Sequence, residues 1–155
     1  MLDIKDKILD ISVTNEDGEP FDFKNLRNNK FVLYFYPKDD TPGCTKEALS
    51  FSDNVEVFKK LGYRIIGVSK DDASKHKKFI EKHKLNFTLI SDVNLDLCKM
   101  FNVWVEKSMY GKKYMGIERS TFLIDSKGKL VNEWRKVKVT GHAKEVLEAA
   151  KLLEG

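Results

Sequence analysis

Two mainly apolar runs constrain the fold of this chain more than any other feature. They are KFVLYFY (residues 30–36) and YRIIGVSK (63–70), both rich in β-branched and aromatic residues. Such runs are typical of strands covered on both faces, because a half-exposed strand would alternate apolar and polar residues. Between them, residues 41–60 carry apolar side chains at helical spacing. The strand–helix–strand order indicates a layered α/β domain.

The remaining segments extend this pattern. Residues 8–23 predict two short strands around the turn NEDG. The sequence then predicts a helix over 72–84 capped by Asp72 or Ser74, a strand over 86–91, a helix over 92–101, a strand pair over 119–136 that turns at Lys127-Gly128, and a helix over 141–155. We therefore expect one thioredoxin-like domain over residues 1–155, with a central mixed β-sheet flanked by helices and an N-terminal β-hairpin.

Composition and charge argue against several function classes. The 155 residues carry 28 basic and 24 acidic side chains, a formal net charge of +4. The densest basic stretch, residues 75–84, also carries Phe79 and Ile80, which predicts an amphipathic helix rather than a nucleic-acid surface. No apolar run approaches the roughly 20 residues of a membrane span, and residues 1–10 lack the apolar core of a signal peptide. We expect a cytoplasmic protein with no nucleic-acid or membrane partner.

The segment TPGC (41–44) places one of the two cysteines at a junction between a strand and a helix. Thr41 is a favourable N-cap, and Pro42 suits the first helical position, where its missing N–H costs nothing. Cys44 then falls at the third helical position, where free backbone N–H groups and the helix dipole stabilise a thiolate. Such a placement is one way in which proteins make a cysteine nucleophilic.

The same position is compatible with an unreactive thiol, because free cysteines are often simply buried. Dithiol exchange would need a second cysteine three residues away, and Thr41 and Glu47 occupy those positions. Cys98 is distant in sequence, so no disulfide framework is indicated. His76 and His83 would lie about 10 Å apart along a helix, too far to share a metal. Without a phosphate loop or zinc-ligand spacing, no cofactor or metal is expected.

Residues around Cys44 match a known family. Pro37, Thr41 and Cys44 fit the P-x-x-x-T-x-x-C signature of the peroxiredoxins. The surrounding FYPKDDTPGCTKEA resembles the bacterioferritin comigratory protein branch, also called peroxiredoxin Q. Segments 91–104 and 113–142 are similar to that branch as well, so the resemblance spans nearly the whole chain.

The resemblance implies a thiol-dependent peroxidase acting on hydrogen peroxide and organic hydroperoxides. Cys44 would attack the O–O bond and become a sulfenic acid, releasing water or an alcohol. Thr41 would orient the peroxide, and Pro37 would shield the site and shape the loop. Arg119 would stabilise the thiolate and the charge that develops on the peroxide oxygens. A guanidinium suits that role because it keeps its charge and offers two donors at once.

Two further residues are expected to support the site. Glu47 lies three residues after Cys44, on the same helix face. It either holds Arg119 by an ion pair or is simply a favourable acid in the first helical turn. Gly43, within the signature, is the second residue expected to support the site. Without the family, the sequence favours a surface ion pair of Arg119 with Glu118 or Asp125, because arginines are mostly exposed, and the family motif reverses that preference.

The chain departs from the family in how its sulfenic acid would be reduced. Many members of the branch carry a resolving cysteine five residues after the peroxidatic one, where this chain has Leu49, and others carry it in the helix matching residues 72–84, which has none. Cys98 remains, either as a resolving cysteine or as a small residue packed in the core. The expected cycle is therefore one-cysteine, with thioredoxin, glutaredoxin or a small thiol as reductant. Members of the branch are often monomeric, which implies a monomer here.

Two other functions remain open on the same fold. One is a thiol–disulfide oxidoreductase, which the missing C-x-x-C motif disfavours. The other is a redox-sensing or holdase module without turnover. Peroxide-dependent chemistry at Cys44 separates the peroxidase from both.

Overall fold

The computed structural model describes residues 8, 11–26 and 28–154. Its strands are β1 (Val13–Thr14), β2 (Pro20–Phe21), β3 (Lys30–Phe35), β4 (Tyr63–Ser69), β5 (Thr88–Ser91), β6 (Trp104–Met109), β7 (Lys112–Ile117), β8 (Ser120–Ile124) and β9 (Leu130–Trp134). Its helices are α1 (Pro42–Asp53), α2 (Val55–Lys60), α3 (Ala73–His83), α4 (Asp96–Met100) and α5 (His142–Glu154), with a 3-10 turn over Phe23–Leu26.

Within the described residues, seven strands form one mixed sheet in the order β2-β1-β5-β4-β3-β8-β9. The three central strands β3, β4 and β5 are parallel, whereas β1, β8 and β9 are antiparallel to their neighbours. The predicted N-terminal hairpin is present, and its turn is fixed by Asn15, whose side chain accepts hydrogen bonds from two backbone N–H groups. The carboxyl ends of β3 and β4 meet at one edge of the sheet. That edge is where ligand sites form in α/β folds.

Strand β3 divides the interior into two apolar clusters because its side chains alternate between the faces of the sheet. Leu33 and Phe35 belong to the cluster that includes α4. Val32 and Tyr34 belong to the other cluster, which includes α1, α2, α3 and α5. All four side chains are fully buried. The predicted buried strand covered on both faces is therefore confirmed.

Some boundaries differ from the prediction. The single helix expected over 41–60 is broken at Asn54, whose side chain donates to the Ser50 carbonyl at 2.8 Å and so competes with the helical backbone. The helix expected from residue 92 begins only at Asp96. Leu95, before it, has a left-handed backbone with φ of 65°.

A second hairpin, β6–β7, was not predicted. It forms its own two-stranded sheet, and the polar residues along it explain why the sequence pattern did not indicate it. Within residues 8, 11–26 and 28–154, no helix combines the length and apolar character that crossing a membrane requires.

Candidate active site

Cys44 is the third residue of α1, at the edge where β3 and β4 end. The helix starts as the sequence predicts, with Thr41 in the extended N-cap conformation and Pro42 at the first helical position. Before it, Asp40 adopts a left-handed conformation with φ of 59°, which turns the chain from the strand into the helix. Cys44 is 1% exposed, so a peroxide that reaches it leaves bulk water behind.

Arg119 lies between β7 and β8 and reaches Cys44 across the sheet edge. Its Nη2 donates to the Cys44 Sγ at 3.3 Å, and its Nη1 donates to Glu47 Oε1 at 2.7 Å. One guanidinium thus bridges a sulfur and a carboxylate. A methyl group at Gly43 would lie 3.3 Å from the same Nη2, so glycine leaves room for the arginine.

Glu47 is buried on the helix face that carries Cys44, with 1% of its surface exposed. Burial raises the pKa of this carboxyl to about 7, although the charge and hydrogen bond of Arg119 lower it. Of the two alternatives for Glu47, the 2.7 Å contact between its Oε1 and Arg119 Nη1 shows the ion pair. This contact fixes the direction of the guanidinium toward the sulfur.

The other two signature residues shape the loop before the helix. The Thr41 hydroxyl donates to the Lys38 carbonyl at 2.9 Å and makes no capping bond to the described part of α1. Pro37 is half-buried directly after the strand. The backbone N–H groups of the first helical turn, near Cys44, are therefore left available to an anion or a peroxide.

Cys98 lies on the opposite side of the sheet from Cys44, in the cluster that includes Leu33 and Phe35. It is fully buried, and burial together with Asp92 raises the pKa of its thiol far above the ordinary range. The Asp92 carboxylate also accepts a hydrogen bond from the Cys98 backbone N–H at 2.8 Å. An unfolding of α1 alone would leave the sheet between the two sulfurs.

The sequence did not predict two polar features beside the site, one lysine and one buried cluster. Lys107 on β6 has a pKa lowered by burial and by Arg119, and Cys44 partly offsets this shift. Asp39, Asp71 and His76 form a buried polar cluster beneath the loop that precedes α1. The acidic loop KDD was a sequence signal for this cluster. Its partner His76 is 37 residues from Asp39, and only the fold brings the two together.

Comparison with known proteins assigns the chain to a family. A sequence model described as the AhpC/TSA family matches residues 4–133. The chain belongs to this family. Peroxiredoxin Bcp of Bacillus subtilis is 49% identical over 150 residues, covering 97% of this chain and 96% of that protein. Peroxiredoxin Bcp of Escherichia coli is 42% identical over 136 residues, covering 88% and 87%.

Solved structures agree with this assignment. Peroxiredoxin Q of Xanthomonas campestris superposes with a TM-score of 0.91 at 43% identity, covering 97% of this chain and 95% of that one. A structure described as bacterioferritin comigratory protein of the same organism, studied for alkyl peroxide reduction, matches equally well. The predicted thioredoxin-like fold and the predicted branch are thus confirmed, and the chain is a thiol-dependent peroxidase that uses a peroxide and a thiol reductant.

Proposed function

We propose that Cys44 is the peroxidatic residue of this peroxidase and that Arg119 is its electrostatic partner. The observation that carries the proposal is the 3.3 Å contact between Arg119 Nη2 and Cys44 Sγ, with Nη1 held by Glu47. The thiolate attacks one peroxide oxygen, so an S–O bond forms while the O–O bond breaks. The leaving oxygen takes up a proton and departs as water or an alcohol. Negative charge moves from sulfur toward oxygen, and a fixed cation stabilises that movement.

Thr41 and Pro37 define the space in which the peroxide lies. Thr41 is at the N-cap of α1, and its hydroxyl oxygen retains lone pairs for a peroxide O–H after donating to the Lys38 carbonyl. Pro37 provides a half-buried apolar wall at the end of β3. Gly43 keeps the approach of Arg119 free, and Glu47 holds that arginine in direction. The substrates would be hydrogen peroxide and organic hydroperoxides.

The cycle is completed by an external thiol. Cys98 is behind the sheet and beside a carboxylate, which supports a structural role for it and a one-cysteine cycle for Cys44. A thiol attacks the Cys44 sulfenic acid, forming a mixed disulfide and releasing water, and a second thiol then frees Cys44. The reductant would be thioredoxin, glutaredoxin or a small thiol.

The family resemblance also supports a proposal for the domain organisation, oligomeric state and cellular compartment of the enzyme. We expect residues 1–155 to act as one domain, as a monomer, in the cytoplasm. Light scattering after size-exclusion chromatography measures the mass of the particle in solution, and a stable dimer would contradict the monomer.

Intact mass spectrometry after one equivalent of hydrogen peroxide tests the chemistry. The wild type and Cys98→Ser should each gain one oxygen, whereas Cys44→Ser should gain none and should not consume peroxide with a thiol. Loss of two hydrogens in the wild type but not in Cys98→Ser would show a disulfide between the two cysteines. Full turnover by Cys44→Ser would refute the proposal. Reduction of insulin disulfides without peroxide would favour the oxidoreductase instead.

A further inference from the structure

A buried polar cluster lies under the loop that joins β3 to α1. His76 on α3 is 0% exposed, and Asp39 and Asp71 are each 8% exposed. His76 Nδ1 lies 2.6 Å from Asp39 Oδ2. Asp71 Oδ2 accepts hydrogen bonds from the Asp39 backbone N–H at 2.8 Å and from the Ser69 hydroxyl at 2.7 Å. Buried polar groups are costly unless they are paired, and these are paired with one another.

The hydrogen bonds place a proton between His76 and Asp39. His76 Nε2 lies 3.0 Å from the Ile90 carbonyl oxygen, which only accepts, so Nε2 carries a hydrogen. Asp39 Oδ1 accepts a hydrogen bond from the Tyr36 hydroxyl. A further proton therefore lies between Nδ1 and Oδ2, so a short hydrogen bond joins the two side chains. Asp39, Asp71 and His76 also have the composition of a small metal site, but their facing atoms are already hydrogen-bonded.

The cluster acts on the loop that sets the start of α1. Asp39 lies two residues before the N-cap Thr41 and five before Cys44. Its backbone N–H is held from below by Asp71, in the segment between β4 and α3, and its side chain by His76 on α3. On the outside of the same loop, Asp40 contacts α3 through Lys82 at 2.8 Å. The loop before Cys44 is thus fixed to α3 both inside and outside.

This matters because Cys44 needs two conformations in one cycle. Attack on peroxide requires the folded first turn, where Arg119 contacts the sulfur. Reduction requires a thiol to reach a sulfur that is 1% exposed, so the first turn must open. Each contact that holds the loop favours the first state over the second, and the rates of the two steps depend on that balance.

We propose that Asp39 and His76 are positioning residues for Cys44, and that their buried pair sets the balance between the peroxide-reactive and the thiol-accessible state of the first turn of α1. The inference rests on the proposed role of Cys44. Neither residue touches the peroxide. Each acts through the loop of residues 37–41.

The test measures the two half-reactions separately by rapid-quench mass spectrometry of Cys44. Oxidation uses hydrogen peroxide, and reduction of the sulfenic acid uses dithiothreitol. Asp39→Ala and His76→Phe remove the pair from opposite sides, so one folded variant suffices. We expect oxidation to slow by about ten- to a hundredfold, as displaced reacting groups do. Reduction should become faster by about threefold or more, because the open state is more populated.

Two further variants separate positioning from general damage. In Asp39→Asn the amide can donate to the Nδ1 of a neutral His76 and accept from the Tyr36 hydroxyl, so both rates should return to within about threefold of wild type. Lys77→Ala removes an exposed ion pair next to His76 on the same helix and should change neither rate. Hydrogen exchange at the amides of residues 43–45 should be faster in the two disruptive variants and near wild type in the other two.

Opposite changes in the two rates support the proposal. If both rates fall together in the folded variants, or if both stay within twofold of wild type, the proposal is overturned. If both disruptive variants fail to fold, unchanged hydrogen exchange and unchanged rates on adding 1 M urea to the wild type would overturn it, since urea favours the open turn. Failure of the proposed function is seen separately, because wild-type Cys44 would then not be oxidised at all.

Discussion

The two cysteines of this chain occupy the same position in two different helices. Cys44 is the third residue of α1, and Cys98 is the third residue of α4. Both are buried, at 1% and 0% exposure. Both therefore meet the condition, often cited for reactive cysteines, of lying at a helix N-terminus.

The neighbours of the two cysteines carry charges of opposite sign. Cys44 accepts a hydrogen bond from the cationic Arg119, and Thr41, at its N-cap, makes no capping bond to the described helix. At α4 the Asp92 carboxylate occupies the first turn, accepting from the backbone N–H groups of Leu97 and Cys98. The same anion opposes ionisation of the Cys98 thiol. A helix N-terminus favours a thiolate only where no side-chain carboxylate has already taken its N–H groups.

Removing the cation should have the largest effect on this contrast. Arg119→Met leaves Cys44 in the same buried position without its partner and should reduce kcat/KM for hydrogen peroxide by on the order of 100- to 1000-fold. Arg119→Lys keeps the charge but cannot bridge the sulfur and Glu47 at once, so an intermediate loss is expected. Stopped-flow peroxide consumption with excess thiol measures both variants.

Arg64 provides the matched control for Arg119. It is an arginine on β4 whose Nη2 bonds the Thr88 hydroxyl at the surface, and Arg64→Met should leave kcat/KM within about twofold. If Arg119→Met keeps kcat/KM within threefold of wild type, the sign of the neighbour does not explain why Cys44 is the reactive cysteine.

An acid also lies near Cys44. This acid, Glu47, pairs with Arg119 and not with the thiol, so it differs from Asp92 beside Cys98. Burial raises the pKa of Glu47 from its usual 4.5 to about 7, so the folded protein holds this proton more tightly than the unfolded chain. The contribution of Glu47 to the free energy of unfolding should therefore fall as pH rises from about 4.5 to about 7, by an amount on the order of 3 kcal/mol. Above that range the contribution should stay level. Urea unfolding at several pH values measures it.

Glu47→Gln isolates this contribution. Glutamine still accepts from Arg119 but does not ionise, so the decline attributable to residue 47 should disappear from the difference between the two proteins. A wild-type protein that gains stability relative to Glu47→Gln between pH 5 and 7 would contradict the raised pKa. That outcome would mean that Arg119 outweighs burial.

The sequence predicted what depends on local pattern. The run over 30–36 predicted a buried central strand, and TPGC predicted the start of α1 with Cys44 at its third position. Arg119 is different, because its place beside Cys44 came from the family resemblance. Read by itself, ERSTF favours a surface arginine over one at a site.

The remaining features depend on contacts between distant segments. Asp39 and His76 are each ordinary in sequence, one in a turn and one in a lysine-rich helix, and only the packing of α3 under the loop joins them. Asp92 and Cys98 are six residues apart, but the left-handed Leu95 that lets the carboxylate reach back to the helix was not predictable. Non-glycine residues rarely adopt that conformation.

The smallest expected effect concerns Cys98 and tests the other half of the comparison. If Cys98 only packs in the core, Cys98→Ala should lower the free energy of unfolding by about 1 kcal/mol through the small cavity it leaves. The rate of peroxide consumption at limiting dithiothreitol should stay within about twofold of wild type, since no resolving thiol has been lost. Cys98→Ser offers a hydroxyl that can donate to Asp92 and serves as the isosteric control. A fivefold loss of turnover in both variants, at unchanged oxidation of Cys44, would instead mean that the sheet opens far enough for Cys98 to reach the sulfenic acid.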